Sequence, residues 1–197
     1  IQKLFGSLII TVGDKEVDLG GEWPSVSFRD LILQYGNIDI NEYNTKEALP
    51  QRIYDEKIDI DCDTPLEDLG YGNLVDQLYK KVARPNVVNP IFLTEHPISL
   101  SPLARANDDN PEITDRFQLI INGAEIINAY SELVDPQEQE RRLEEQAALK
   151  ADGDEEAMPM DHDYISAMEV GMPPISGWGM GIDRIVQLLT NSDNIKD

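Results

Sequence analysis

Residues 116–133 read RFQLIINGAEIINAYSEL, two apolar, β-rich runs flanking Asn122-Gly123. A two-residue hairpin turn of type I′ needs positive φ at both central positions, which Asn and Gly tolerate best. The stretch therefore predicts a tight antiparallel hairpin, and a chain built round it needs a sheet with helices against it.

The remaining segments fit that frame. LIITVGDKEVDLGG predicts a second hairpin about Gly13-Asp14. SFRDLILQYG predicts a short helix capped by Ser27, with Asp30 in its first turn and Gly36 as its stop. From there to about Arg84 the apolar spacing in TKEALPQRIYD and LVDQLYKKV is helical, so 27–86 reads as a small helical insertion. NPIFLTEHP reads as a buried strand between prolines, and SPLARANDDNPEITD as a loop. DPQEQERRLEEQAALK begins with Asp135 as cap and Pro136 at the first helical position; polar almost all round, it predicts a solvated helix. ADGDEEAM reads as an acidic loop, HDYISAMEVG as a short helix, and SGWGMGIDRIVQLLT as a strand running into a last helix. The fold class is α+β: an antiparallel β-sheet flanked by helices, in one domain over 1–197.

Chemistry concentrates in two places. In EIINAYSEL, Asn128, Tyr130 and Glu132 are two apart and share one strand face. Such a polar row either meets water or walls a pocket for a small polar ligand, where Glu132 suits a cation. Glu125 begins the same strand, and Gln118 on the preceding one falls on its side of the sheet. Oxygen side chains there suit Mg²⁺ completed by water and substrate phosphate. Strict alternation turns Glu125 away from Asn128, so both line one site only if a β-bulge intervenes near Ile126 and Ile127.

The second place is SGWGMGIDR. Gly177, Gly179 and Gly181 are two apart, leaving a strand face bare enough for a ligand to lie on the backbone. Arg184 follows at a helix start, where N–H groups and the positive dipole end attract an anion. Its planar fork suits phosphate oxygens or stacking on a base. The glycine spacing is not the dinucleotide fingerprint.

Other constellations fail. Asp59, Asp61 and Asp63 imitate a calcium loop, but Thr64 and Gly70 stand where glycine and glutamate are required. His96 and His162 are isolated and read as structural or surface residues. Cys62 is the single cysteine, which excludes an intrachain disulfide and fits a reducing, cytoplasmic setting. Thirty-eight acids against sixteen bases, a net charge of −22, argue against broad nucleic-acid binding by this segment. No apolar run approaches the roughly 18 residues that a membrane span needs. The opening IQKLFGSLIITVG starts as if mid-protein, with no leader.

Together, TEHPISLSPLAR, EITDRFQLIINGAEIINAYSELVDP, GDEEAM, ISAMEVGMPP and GWGMGIDRIVQLLTNSDNIKD closely resemble, in order, the latter half of the catalytic domain of class II lysyl-tRNA synthetases. GWGMGIDR resembles that class's third signature motif, and EIINAYSEL its combined metal and lysine strand. The resemblance implies that lysine attacks the α-phosphate of ATP, giving lysyl-adenylate that passes its lysyl group to tRNA(Lys). Carried over by position, it implies that Glu125 binds Mg²⁺ and ATP, with Gln118 as the second metal ligand. Ile126, Gly181, Ile182, Asp183 and Arg184 then line the ATP site, Arg184 balancing phosphate charge. Asn128, Tyr130 and Glu132 hold lysine, beside Gly177 and Gly179. A homodimeric, cytoplasmic ligase with no membrane partner is the implied setting.

Two departures bear on that expectation. The family usually has glutamate where this chain has Gln118. The missing charge amounts to a raw attraction on the order of 4 kcal/mol at about 4 Å and an effective dielectric of about 20, so weaker Mg²⁺ binding is expected. The family's anticodon-binding barrel and first two motifs correspond to residues before Ile1, so the chain reads as a fragment inactive by itself. Two alternatives stay open: a paralogue that lysylates a protein or lipid, and a non-catalytic lysine- or nucleotide-binding module.

Overall fold

The computed structural model describes residues 1–62, 64–192 and 194. Asp63, third acid of the calcium-loop mimic, and part of the chain's last motif lie outside them. The short α1 (Gln2–Phe5) precedes a hairpin of β1 (Ile9–Val12) and β2 (Lys15–Asp18). Gly13 supplies its positive φ of 61°, as the sequence predicts.

The main sheet runs in the order β3-β4-β5-β6-β7. Its strands are β3 (Ser25–Ser27), β4 (Ile91–Thr94), β5 (Arg116–Ile121), β6 (Ala124–Ser131) and β7 (Ser176–Met180). The pairings from β4 to β7 are antiparallel, but β3 pairs parallel to β4. The expected antiparallel sheet flanked by helices is present, with one parallel pairing at that edge. Parallel neighbours need a long crossover, and here the crossover holds α2 (Phe28–Gly36), α3 (Ala48–Asp55), α4 (Tyr71–Leu78) and a π-turn over Tyr79–Ala83.

These helices form no separate body. Leu31, Ile32, Leu49, Ile53, Leu74 and Leu78 join one core with Leu93 of β4 and Ile120 of β5. The predicted cap of α2 is present, Ser27 Oγ accepting from the Asp30 amide at 3.0 Å. The predicted stop is not. Gly36 stays helical, and Asn37 ends the helix at φ 54°. Gly36 serves packing instead, since a Cβ there would lie 2.9 Å from Val82 Cγ2.

The opposite sheet face carries a second core, where Leu119, Ile121 and Ile126 meet Ile10, Val17 and Leu188. Leu188 belongs to α7 (Ile182–Thr190). The crossover helices cover β4 and β5 on the first face and leave β6 and β7 open there.

The solvated-helix expectation is corrected for α5 (Pro136–Ala151), which buries Gln139, Arg142 and Leu143. Gln139 Nε2 donates to Pro102 O at 3.1 Å, and Arg142 Nη1 to Ala104 O at 2.8 Å. Charged and amide side chains thus form a buried face that apolar counting cannot register. Leu143 packs on Ile165 and Met168 of α6 (His162–Glu169). The acidic loop also folds inward, where buried Asp154 accepts from the Gly70 amide at 2.8 Å and from Asn73 Nδ2 at 2.8 Å.

Candidate functional site

The β5–β6 turn has φ 46° at Asn122 and 70° at Gly123, both left-handed. Pairing then runs from Ile121↔Ala124 to Ile120↔Glu125 and jumps to Leu119↔Ile127. Ile126 is the extra residue, so β6 carries a bulge within the predicted stretch. Gln118 is thereby shifted opposite Asn128, and Glu125, Asn128, Tyr130 and Glu132 come to one side.

β7 completes the floor, with Gly179 paired to Asn128 and Gly177 to Tyr130. The Gly181 amide closes the register on Ile126 O at 3.0 Å. The result is a cleft of about 580 Å³ lined by Glu125, Ile126, Asn128, Tyr130, Glu132, Gly177, Gly179, Gly181 and Arg184. The sequence-predicted residues thus share one cleft, with three exceptions. Ile182 and Asp183 are exposed in the first turn of α7 and do not line the cleft, and Gln118 lies buried beneath Glu125. Trp178 and Met180 also line the cleft; nothing in their spacing marks them beyond their place between glycines.

The glycines have distinct physical uses. A Cβ at Gly177 would stand 2.4 Å from Glu132 Oε1, so the absent side chain makes room for that carboxylate. A Cβ at Gly179 would meet nothing within 4 Å, so there the bare backbone leaves open space.

Charge is sorted along the cleft. At one end Arg184 Nη1 donates to Glu125 O at 2.8 Å and lies 3.9 Å from Glu125 Oε1. Arg184 remains half exposed, at the start of α7, where the helix dipole adds positive potential. About 20 Å along β6, allowing about 3.3 Å per residue, stands Glu132. Among the described residues its carboxylate has no hydrogen-bond or ion-pair partner, and burial raises its pKa above the ordinary carboxylate value. Burial likewise raises Tyr130, with the Glu132 charge adding to the effect. The end of the strand is braced, because Ala104 forms a β-bridge with Glu132 and the Arg105 amide donates to Ser131 O at 2.8 Å. The SPLAR loop and α5 therefore hold the region in which Glu132 sits.

Arg116 is not marked in the sequence, and His96 is read there only as structural or surface. Arg116, deeply placed, donates from Nε to Asn128 Oδ1 at 3.0 Å and from Nη1 to Ser101 Oγ at 3.0 Å. Burial lowers its pKa. With its oxygen engaged, Asn128 has its amide N–H groups left to offer. Strand alternation was the available signal, since Arg116 is two residues from Gln118. His96 is fully buried beside Gln118, and burial, then nearby Arg116, lowers its pKa to about 3. The structural reading of His96 agrees with that burial, while His162 is exposed on α6.

The donors suit a particular kind of metal binding. No group of three or more His, Cys, Asp or Glu capable of holding a metal occurs among the described residues. Glu125 offers one carboxylate at the Arg184 end. Mg²⁺ commonly takes one or two carboxylates and completes its shell with phosphate and water. The cleft therefore fits an ion that arrives with a nucleotide.

Comparison with known proteins covers the whole chain. The family model described as tRNA synthetases class II (D, K and N) matches residues 1–197. A lysine–tRNA ligase of Thermosipho africanus is 42% identical over 197 residues, covering 100% of this chain and 38% of that protein. One of Dehalococcoides mccartyi is 40% identical over 198 residues, covering 100% of this chain and 39% of its own length. The heat-inducible lysine–tRNA ligase of Escherichia coli K12 is 40% identical over 200 residues, with coverage of 100% and 38%. The chain thus spans about two fifths of the length of the curated relatives it matches. No helix among the described residues is long and apolar enough to cross a membrane.

Proposed function

Because this chain belongs to the class II tRNA synthetases of the D, K and N type, we propose that its cleft activates L-lysine with ATP for transfer to tRNA(Lys). The observation that carries the reading is Glu132: a partnerless carboxylate in the same cleft as Arg184 and a glycine floor. An ammonium on a long side chain matches the first, and nucleotide phosphate the second.

On this reading Glu132 binds the lysine side-chain ammonium, while Asn128 and Tyr130 orient its polar groups. Lysine lies beside Gly177 and Gly179, and ATP lies over Gly181, with Arg184 and the start of α7 facing its phosphates. The lysine carboxylate attacks the α-phosphorus, pyrophosphate leaves, and lysyl-adenylate remains. No protein nucleophile takes part; the residues position two reactants and stabilise charge. Mg²⁺, when bound, neutralises phosphate charge, and Glu125 is the side chain that would hold it. Ile126 flanks the nucleotide end, and Ile182 and Asp183, outside the cleft lining, would reach the nucleotide only from the first turn of α7. Residues 1–197 then form the later part of a catalytic domain, with 27–86 as its helical insertion. A homodimeric, cytoplasmic enzyme that contacts tRNA mainly outside this chain completes the proposal.

The test is calorimetric titration of the full protein containing this chain with lysine, arginine and ornithine. Lysine is expected to bind more than about tenfold tighter, roughly 1.4 kcal/mol, and equal affinities would overturn the pocket assignment. Lysine-dependent ATP–pyrophosphate exchange separates an enzyme from a non-catalytic binding module, the reading Gln118 favours.

A further inference from the structure

A line of polar groups beneath Glu125 plays no part in the reaction above. Gln118 is buried and donates from Nε2 to Glu125 Oε2. Its oxygen lies 3.2 Å from His96 Nε2. The His96 ring is fully buried, 5.2 Å from the Phe28 ring, and its Nδ1 has no partner.

The orientation of these groups is set from both ends. An ionised carboxylate only accepts, so Glu125 requires the amide N–H₂ to face it. A neutral imidazole carries one N–H; Nε2 lies 3.2 Å from an acceptor, the Gln118 oxygen, whereas Nδ1 makes no hydrogen bond among the described residues, so the proton is best placed on Nε2. On Nδ1 it would be buried and unsatisfied. Both ends therefore set the amide the same way round.

We propose that Gln118 is a positioning residue and not a metal ligand: His96, as the Nε2–H tautomer, clamps its amide so that it donates to Glu125. The proposal rests on reading this cleft as the ATP and lysine site, and it deepens that reading at the metal end. To offer its oxygen to a cation the amide must turn over. Its N–H₂ would then donate to His96 Nε2, and the imidazole proton would have to move to Nδ1, which makes no hydrogen bond among the described residues. The strut keeps the Glu125 carboxylate aimed into the cleft, as the carboxylate at the Arg184 end that a divalent ion could use. Glutamate at this position would put a second negative oxygen beside Glu125, with His96 Nε2–H as its donor.

The test uses the full protein with ¹⁵N-labelled histidine, the His96 signal being assigned by its loss in His96→Phe. Nitrogen–proton correlation spectra are expected to show the Nε2–H tautomer, unchanged when Mg²⁺ and ATP are added. A shift to Nδ1–H on adding Mg²⁺ means that the amide has turned to the ion, and overturns the proposal. In a second arm, Mn²⁺ binding is followed by electron paramagnetic resonance. Gln118→Glu is expected to tighten Mn²⁺ by about tenfold or more, because a charged acceptor replaces a donor. Unchanged affinity would mean that an oxygen ligand was already present, and counts against the proposal. Lysine titration of the same preparation separates the two readings: if lysine fails to bind, the cleft assignment falls, and the tautomer measurement still decides how Gln118 is held.

Discussion

Glu125 and Asn128 look into the same cleft across an odd interval of strand, because Ile126 between them has no partner on β5. The bulge turns an alternating strand into a continuous wall, and on the proposed reading it sits where the nucleotide and amino-acid ends share a floor. Ile126 is also buried against Leu119, Ile121 and Leu188. Ile126→Ala is expected to cost about 2–5 kcal/mol of stability, read from urea unfolding, while the pairing on either side persists. A loss below about 1 kcal/mol would show that Ile126 contributes little to that core.

On the proposed reading Glu132 holds the amino-acid end. Glu132→Gln keeps the shape and removes the charge, so lysine affinity is expected to fall by about 1.5–3 kcal/mol, roughly ten- to a hundredfold. ATP affinity should stay unchanged.

The same carboxylate predicts a pH profile. Burial raises the Glu132 pKa, and only the ionised form attracts an ammonium. Lysine affinity should therefore fall with decreasing pH, starting above the ordinary carboxylate range. Binding isotherms across the acid range should show this limb in the parent and lose it in Glu132→Gln.

The glycines of β7 separate fold from ligand. Gly179→Val adds atoms to open space, so the thermal midpoint should stay close to the parent's while ATP or lysine binding is lost. Gly177→Ala brings a Cβ to 2.4 Å from Glu132 Oε1. Lysine binding should weaken there through displacement of that carboxylate, with ATP binding much less affected.

His96 predicts acid sensitivity of the fold. Its pKa is lowered to about 3 in the folded chain from 6.5. Below pH 6.5 the unfolded state takes up the proton and the folded state does not, so stability is lost as pH falls towards 3. The slope from this one group approaches about 1.4 kcal/mol per pH unit in the middle of that window. Urea unfolding at stepped pH should show the slope in the parent and its reduction in His96→Phe.

Local chemistry determined much of this molecule on its own. Asn122-Gly123 can hardly be anything but a hairpin turn, Ser27 and Asp135 cap helices by reaching the next amides, and period-two spacing puts Asn128, Tyr130 and Glu132 on one face. These outcomes depend on neighbours a few residues away, which a sequence displays directly. Even the bulge was legible, since two functional residues at an odd interval demand one.

Tertiary structure decided the rest. The parallel pairing of β3 with β4 depends on a partner more than sixty residues away, and nothing in three residues of strand announces its direction. Gly36 looks like a helix stop but is a packing contact with Val82. The polar α5 buries Arg142 because Ala104 O and Glu138 meet its guanidinium, and Gln118 turns its amide between His96 and Glu125. In each case a polar or small residue owes its place to a group distant along the chain. Propensity and periodicity sum over near neighbours, whereas burial of a polar atom is permitted only by the particular partner that folding brings to it.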